Sequence, residues 1–202
     1  MLELLFTNPI FFLLWGASLI VAVTIHEFAH AWMADHLGDP TARLQGRLTL
    51  NPLAHLDPLG TLAILIAHIG WGRPVPVDPY NLDNPKRDSM LISLAGPVSN
   101  FILAVILSLI AKFLIPQLTI LFIPFISLNV GLAVFNLLPI PPLDGSKVIS
   151  GLLPHDWAQQ YENATNQMGI LLLLLFLVPF GGRSLAAMII LPIINWILRL
   201  LL

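Results

Sequence analysis

The stretch "VTIHEFAHAWMADHLGD", residues 23–39, decides how the fold is interpreted, because it ends a long apolar run that begins near Pro9. Such a run should form a helix in hydrocarbon, yet it carries His26, Glu27 and His30 within five residues. Each ionisable side chain at the middle of a bilayer costs about 2.5–3.5 kcal/mol on insertion scales. Three of them on one helix therefore indicate a function that compensates for this cost.

The composition is typical of a membrane protein. Of the 202 residues, 57% are hydrophobic and 10% are charged, and the mean hydropathy is +0.87. A soluble domain usually carries about 25% charged residues. The formal net charge of -2 provides no basic surface, so we expect no nucleic-acid partner. The chain has no cysteine, which excludes disulfides and thiolate metal ligands.

The apolar segments predict an all-α polytopic membrane protein with about five transmembrane helices. Crossing a bilayer takes about 20 apolar residues, and four segments reach or approach this length: about 9–33, 90–115, 118–138 and 184–202. A fifth, at about 166–180, is shorter but continuously apolar. In the segment 59–70 only about ten residues are apolar, which favours a short re-entrant or interfacial piece. Asn8 and Pro9 are typical of a helix N-cap and the residue after it.

The distribution of Lys and Arg predicts the orientation. If residues 59–70 do not cross, then residues 34–89, residues 139–165 and the C-terminus share one side. That side holds seven positive residues, which are Arg43, Arg47, Arg73, Lys86, Arg87, Lys147 and Arg199. The opposite side holds Lys112 and Arg183. The positive-inside rule then places the seven in the cytoplasm and the N-terminus outside.

Residues 43–50 predict a small membrane-associated β-hairpin. Leu44, Leu48 and Leu50 recur at alternate positions, and Gly46 suits a turn or a bulge. A plain surface hairpin is one interpretation. The other is an exposed strand edge along which a bound peptide pairs in an extended conformation.

The residues His26-Glu27-Phe28-Ala29-His30 form the pattern H-E-x-x-H. Four residues of helix turn through about 400°, so both imidazoles project from one face and can bind one metal ion. Glu27 lies beside them and can reach a metal-bound water without binding the metal itself. The pattern therefore predicts a Zn²⁺-polarised water with a general base next to it, as peptide hydrolysis requires.

A catalytic zinc site usually has three protein ligands, so a third one is expected. His36 has the spacing of an extended H-E-x-x-H-x-x-G-x-x-H motif, but Met33 stands where that motif requires Gly. An unbroken helix turns His36 to another face. Asp144 is the better candidate, because it is the only acidic residue between Asp88 and Asp156 and follows a proline-rich break. The predicted orientation also brings Asp144 to the same membrane side as the histidines.

Five stretches carry a family resemblance: "TIHEFAHAW", "GDPTARLQGRLTLNPLAHLDPLGT", "WGRPVPV", "LAGPVSN" and "FNLLPIPPLDG". In them the chain resembles the site-2 protease family of intramembrane zinc metalloproteases, and looks closest to the short prokaryotic form without PDZ or CBS domains. The resemblance covers nearly the whole chain. We expect a single protease domain over residues 1–202, with a catalytic core at about 9–150 and C-terminal helices at about 160–202.

The resemblance also implies roles for individual residues. His26, His30 and Asp144 match the ligands of one zinc ion per chain, and Glu27 matches the general base. Asn136 matches a position that assists substrate or oxyanion binding, although a polar residue in a span often only bonds a neighbouring helix. The implied partners are the lipid bilayer and a transmembrane protein substrate, such as an anti-sigma factor or a membrane-bound regulator. The implied location is a prokaryotic cell membrane, with the active site near the cytoplasmic face.

Two other functions stay open from the residues alone, a membrane metal or ion transporter and an inactive membrane scaffold. Transporters tend to place ionisable groups on several spans, whereas these spans are nearly free of carboxylates outside the first motif and Asp144. An inactive scaffold would not need Glu27. Among the other polar residues, Asn100 is predicted to bond a neighbouring helix and His55 to bond loop backbone. Three further histidines are predicted to be structural or interfacial: His36, His68 and His155.

Overall fold

The computed structural model describes residues 2–67, 71–166, 168–180 and 182–202. Within these ranges the chain forms ten helices: α1 (Leu2–Thr7), α2 (Pro9–His36), α3 (Thr41–Leu44), α4 (Pro58–Ala67), α5 (Pro85–Leu109), α6 (Thr119–Asn136), α7 (Asp144–Leu152), α8 (His155–Asn166), α9 (Gly169–Leu177) and α10 (Leu185–Leu201). A π-helical turn, Ile110–Leu114, extends α5, and 3-10 turns lie at Pro52–Ala54, Pro79–Asn81 and Pro116–Leu118. Two short strands, β1 (Pro179–Phe180) and β2 (Arg183–Ser184), pair antiparallel.

Three helical stretches among the described residues are long and apolar enough to cross a membrane: Pro9–His36, Pro85–Leu114 and Pro116–Asn136. Helix α10 is a shorter apolar helix of 17 residues. The Asn8 side chain caps α2 by accepting from the Phe11 backbone N–H at 3.1 Å, which confirms the predicted start. Asn84 caps α5 in the same way, so this helix begins at Pro85 rather than near 90.

Two apolar segments form helices that are too short to cross. At 1.5 Å per residue, the nine residues of α9 reach about 14 Å, about half of a hydrocarbon core of roughly 30 Å. The expected fifth span at about 166–180 is therefore not a full helical crossing. Helix α4 has ten residues, in agreement with the short piece predicted at 59–70. Residues 68–70, with His68, lie outside the described part of the chain.

The β-hairpin predicted at 43–50 is wrong. Residues Thr41–Leu44 form α3, and Gly46 follows in a left-handed conformation with φ +68°. The alternating leucines do not supply a buried face, because Leu44 and Leu50 are 79% and 57% exposed. Arg47 is buried instead, and its guanidinium donates to the backbone carbonyls of residues 73 and 74. The charged side chain, and not the leucines, anchors this segment.

A buried carboxylate fixes the loops that follow α2. Asp39 accepts hydrogen bonds from the Thr41 hydroxyl at 2.5 Å, the Asp78 backbone N–H at 2.8 Å and the Asn81 amide at 2.8 Å. Burial alone would raise the pKa of Asp39, but these hydrogen bonds outweigh it and hold the pKa below its ordinary value. The carboxylate thus stays charged at neutral pH and ties the loop before α5 to the end of α2.

The structure corrects the predicted membrane side of the C-terminal end of α10. The Ser108 hydroxyl donates to the Leu201 carbonyl, and Lys112 Nζ donates to the Leu200 carbonyl at 3.3 Å. The end of α10 therefore lies beside the end of α5, with Lys112, rather than on the opposite side. The difference arises from the number of crossings. Helix α9 is too short to cross, so α10 runs in the direction opposite to that expected. Arg199 is now counted on the same side as Lys112, and Arg183, which precedes α10, is counted on the opposite side. The predicted contrast of seven positive residues against two therefore persists.

Single-cysteine labelling tests this topology cleanly, because the chain has no cysteine of its own. Asp83 and Leu202 are exposed and lie beyond opposite ends of α5. We expect a membrane-impermeant maleimide to label Leu202→Cys from outside intact cells and Asp83→Cys only after permeabilisation. His155→Cys serves as a second cytoplasmic reporter. Labelling of Leu202→Cys and Asp83→Cys from the same side would contradict the arrangement.

Candidate metal centre

The two histidines of the H-E-x-x-H pattern converge as the helical spacing predicts. Helix α2 is unbroken from Pro9 to His36, so His26 and His30 lie one turn apart on the same face. Their Nε2 atoms are 3.0 Å apart, and the two rings cross edge to face with centroids 4.5 Å apart. Both side chains are buried. The helix therefore presents two imidazole nitrogens at a single point.

Asp144 reaches this point from a helix much later in the chain. It is the first residue of α7, and its Oδ2 lies 3.1 Å from His26 Nε2 and 3.3 Å from His30 Nε2. Gly145 permits this approach, since a Cβ built there would lie 2.2 Å from the Leu137 carbonyl oxygen. Within the described residues, His26, His30 and Asp144 are the one group of three His, Cys, Asp or Glu whose ligand atoms all lie within 4.8 Å.

The hydrogen-bond partners determine where the ring protons lie. His30 Nδ1 is 2.7 Å from the Ile92 carbonyl, which only accepts, so Nδ1 carries the hydrogen. His26 Nδ1 is 2.7 Å from Asn100 Oδ1, and the Asn100 amide nitrogen donates elsewhere, to Ala22 and Asn129. His26 Nδ1 is therefore also the donor. In the neutral imidazoles, both Nε2 atoms therefore keep bare lone pairs.

These donors fit a divalent cation. Asp144 Oδ2 is buried without a hydrogen-bond donor, and it faces two nitrogens whose lone pairs point at it and at each other. Three converging electron-pair donors repel one another unless a cation lies between them. Two imidazoles and one carboxylate are a ligand set that catalytic zinc uses while keeping a further position open.

Helix α5 contacts the two histidines at a glycine, Gly96. A Cβ built at Gly96 would lie 2.4 Å from His30 Nε2 and 2.7 Å from His26 Cε1. No side chain fits between α5 and the two rings, so Gly96 sets how closely the helices approach. The sequence interpretation missed this residue, although "LAGPVSN" carries the signal of a small residue in a helix that faces the motif.

A cleft of about 400 Å³ opens at the metal centre. Glu27 lines it together with the three candidate ligands, and residues of the non-helical segment 71–77 form part of its wall. Gly72 lies against Glu27, because a Cβ built at Gly72 would be 3.3 Å from Oε1. Lys147, one turn along α7 from Asp144, also lines the cleft and was not singled out from the sequence.

Asn136 lies in the cleft but its amide is engaged. It is the last residue of α6, and its Nδ2 donates to the Leu132 carbonyl of the same helix at 3.1 Å. Asn136 therefore has the right place for contact with a substrate. The second hydrogen of this amide can be donated to a substrate while the first is held by Leu132.

The remaining polar residues lie mostly where the sequence predicts. His36 stacks on Trp32 at 5.3 Å and takes no part in the metal centre, and His55 Nε2 lies 2.7 Å from the Thr49 carbonyl in the loop. Asn100 does bond a neighbouring helix, through Asn129, but it also contacts His26. That second contact was not predicted.

Comparison with known proteins agrees with this geometry. The family described as Peptidase family M50 matches residues 114–176, which include Asn136 and Asp144. The chain is 44% identical over 184 residues to YwhC of Bacillus subtilis, a candidate zinc metalloprotease, covering 85% of this chain and 84% of that protein. This chain belongs to peptidase family M50.

Further M50 relatives are more distant. Rip2 of Mycolicibacterium smegmatis, also named as a candidate zinc metalloprotease, is 35% identical over 83% of this chain and 67% of its own. The zinc metalloprotease MJ0392 of Methanocaldococcus jannaschii is 27% identical over 72% of this chain and 36% of its own length. No solved structure gives a significant match. The chain is thus a zinc metalloprotease of the site-2 protease family, with its candidate metal site at His26, His30 and Asp144.

Replacing Gly96 by Ala tests the close contact between α5 and the rings. Overpacking of this kind costs about 1–3 kcal/mol, and the methyl group must push at least one imidazole away from Asp144. We expect Gly96→Ala to lower zinc affinity about tenfold or more, measured by chelator competition on the purified protein. Gly131→Ala on α6 is the matched control, since its nearest contact would be an ordinary 3.9 Å. Equal zinc affinity in both variants would contradict the prediction.

Proposed function

We propose that this M50 metalloprotease hydrolyses peptide bonds within or next to the transmembrane segments of other membrane proteins, with one zinc ion held by His26, His30 and Asp144. The observation that carries the proposal is the buried convergence of two bare Nε2 atoms and a carboxylate oxygen without a donor. They lie in a bundle of membrane-length helices. Zinc binding worth about 10–16 kcal/mol in structural sites is large enough to offset the insertion cost of such residues.

Glu27 is proposed as the general base. Zinc, when bound, supplies a Lewis acid that polarises a water molecule and the substrate carbonyl. Glu27 follows His26 directly in α2 and shares the cleft with the candidate ligands. Its carboxylate takes the proton from the attacking water and passes it to the leaving amine.

Asn136 is proposed to donate a hydrogen bond to the carbonyl oxygen under attack. It lies in the cleft at the end of α6, and seven residues separate it from Asp144 in the chain. Donors aimed at a developing negative charge stabilise the transition state more than the ground state. One hydrogen of the amide is donated to Leu132 in the structure, so we infer that the second hydrogen is donated to the substrate.

Residues 71–77 take the role that the sequence suggested for 43–50. They form no helix, Gly72 pairs with Leu56 in an antiparallel β-bridge, and five of them line the cleft: Trp71, Gly72, Pro74, Val75 and Val77. Arg47 holds the segment through the carbonyls of Arg73 and Pro74, and Arg73 N–H donates to the His55 carbonyl at 2.8 Å. A substrate laid along this segment is kept extended, which exposes the scissile carbonyl.

The proposed topology has four crossings, by α2, α5, α6 and α10, with α4 and α9 entering only part of the bilayer. The cytoplasmic side then carries the metal centre, as the excess of positive residues favours. By family resemblance, the substrates are anti-sigma factors or other membrane-bound regulators in a prokaryotic cell membrane. Transport is disfavoured, since α6 and α10 contain no acidic residue.

Glu27→Gln separates catalysis from metal binding. The substitution keeps the shape of the side chain but removes the proton acceptor. The rate at which a reporter transmembrane substrate is cleaved should therefore fall by about 10²–10⁴-fold. Zinc content should stay at one per chain, as measured by elemental analysis. Glu162→Gln, an equivalent change on α8 outside this cleft, should leave cleavage unchanged. Cleavage at the unaltered rate by Glu27→Gln would remove the proposed base.

Asn136→Ala tests the proposed hydrogen bond to the substrate. Loss of one such donor typically lowers kcat by about 10²–10³-fold, while zinc affinity should not change because the hydrogen bond of the Asn136 amide goes to the Leu132 carbonyl and not to a candidate ligand. Asn163→Ala, at an exposed position on α8, is the control. If kcat were unchanged, Asn136 would be only a helix-end residue.

A further inference from the structure

A stripe on α5 supports both histidines from behind. Ile92, Gly96 and Asn100 follow at intervals of four residues, so they lie along one face of α5. Ile92 accepts from His30 through its carbonyl, Gly96 gives the rings room, and Asn100 accepts from His26. His30 is thus oriented by backbone, which no substitution removes. His26 is oriented by a side chain.

A chain of hydrogen bonds leads from His26 through two buried amide side chains to a third helix. Asn100 Nδ2 donates to the Ala22 carbonyl at 2.9 Å and to Asn129 Oδ1 at 2.7 Å, and Asn129 Nδ2 donates to the Phe125 carbonyl at 2.8 Å. Asn100 and Asn129 are both 0% exposed. The path joins α2, α5 and α6 and ends on two backbone carbonyls.

The backbone carbonyls at its ends fix the orientation of each amide side chain in this chain of hydrogen bonds. A backbone carbonyl only accepts, so the Phe125 carbonyl fixes which end of the Asn129 amide is the donor. If Asn100 flipped, its oxygen would face the Ala22 carbonyl and Asn129 Oδ1, two acceptors, at these same short distances. Asn100 must therefore present its oxygen to His26, and His26 must carry its hydrogen on Nδ1.

We propose that Asn100 and Asn129 are positioning residues for the metal centre, which hold His26 in the tautomer and the ring orientation that direct its bare Nε2 towards the ion. The proposal rests on the proposed function, because it assumes that zinc binds His26. Residues behind a ligand of this kind typically change metal affinity about 10–100-fold when replaced. Asn129 is expected to act through Asn100, since its own hydrogen bonds go to Asn100 and to the Phe125 carbonyl.

A purely structural role makes a different prediction. Buried asparagines in membrane helices often stabilise only helix packing. In that case substitution would lower the unfolding temperature and leave the zinc dissociation constant unchanged. Zinc affinity is therefore the measurement that distinguishes the two roles.

The test compares variants of the full chain, purified in detergent, by competition for zinc with a chromogenic chelator. Asn100→Leu should raise the zinc dissociation constant about 10–100-fold, and Asn129→Leu by a smaller factor. Asn100→Asp again offers His26 an acceptor, but its second oxygen faces the Ala22 carbonyl and Asn129 Oδ1, so it should bind zinc more tightly than Asn100→Leu and less tightly than the unaltered protein. Ser108→Ala is the matched control, since Ser108 is a buried hydroxyl on α5 that donates to the Leu201 carbonyl far from the site.

The outcomes separate the two proposals. If the unaltered protein binds no stoichiometric zinc, or His26→Ala binds it as well, the proposed metal centre fails and this proposal with it. If zinc binding depends on His26 but Asn100→Leu and Asn129→Leu match Ser108→Ala in affinity, the positioning role is overturned and the protease assignment stands. Should Asn100→Leu fail to fold, Asn129→Leu and Asn100→Asp decide the same question.

Discussion

Electrostatic repulsion among three buried lone-pair donors is the constraint on which this structure depends. His26 and His30 point bare Nε2 atoms at each other, and Asp144 adds a carboxylate oxygen with no hydrogen-bond donor. A cation between them converts this repulsion into attraction. The rest of the bundle serves this arrangement, since α5 lies directly against both rings and the turn before α7 brings the carboxylate to them.

The local features of the fold and site were predictable from sequence because they depend on spacing. The H-E-x-x-H pattern places two rings on one face wherever the helix is unbroken, and Asn8-Pro9 marks the start of that helix. Asp144 was also predictable, from parity and from its isolation among apolar residues. Each of these inferences uses only a helical period or a count of crossings.

Features that depend on tertiary contact were not predictable. The alternating leucines of residues 43–50 suggested a strand, but burial of Arg47 against two carbonyls determines the local conformation. The apolar stretch at 166–180 gave no sign that its helix would stop after nine residues, and this single difference reversed the predicted side of the C-terminus. Gly96 and Asn129 became meaningful only once their distances to other helices were known.

The separation of the ligands along the chain has a consequence for biogenesis. His26 and His30 enter the membrane with α2, but the carboxylate lies 114 residues after His30 and follows α6. During synthesis the ribosome must therefore complete three long helices before all ligands exist. Until then the nascent bundle carries two imidazoles without the third candidate ligand, so the complete ligand set exists only after α6 has been made.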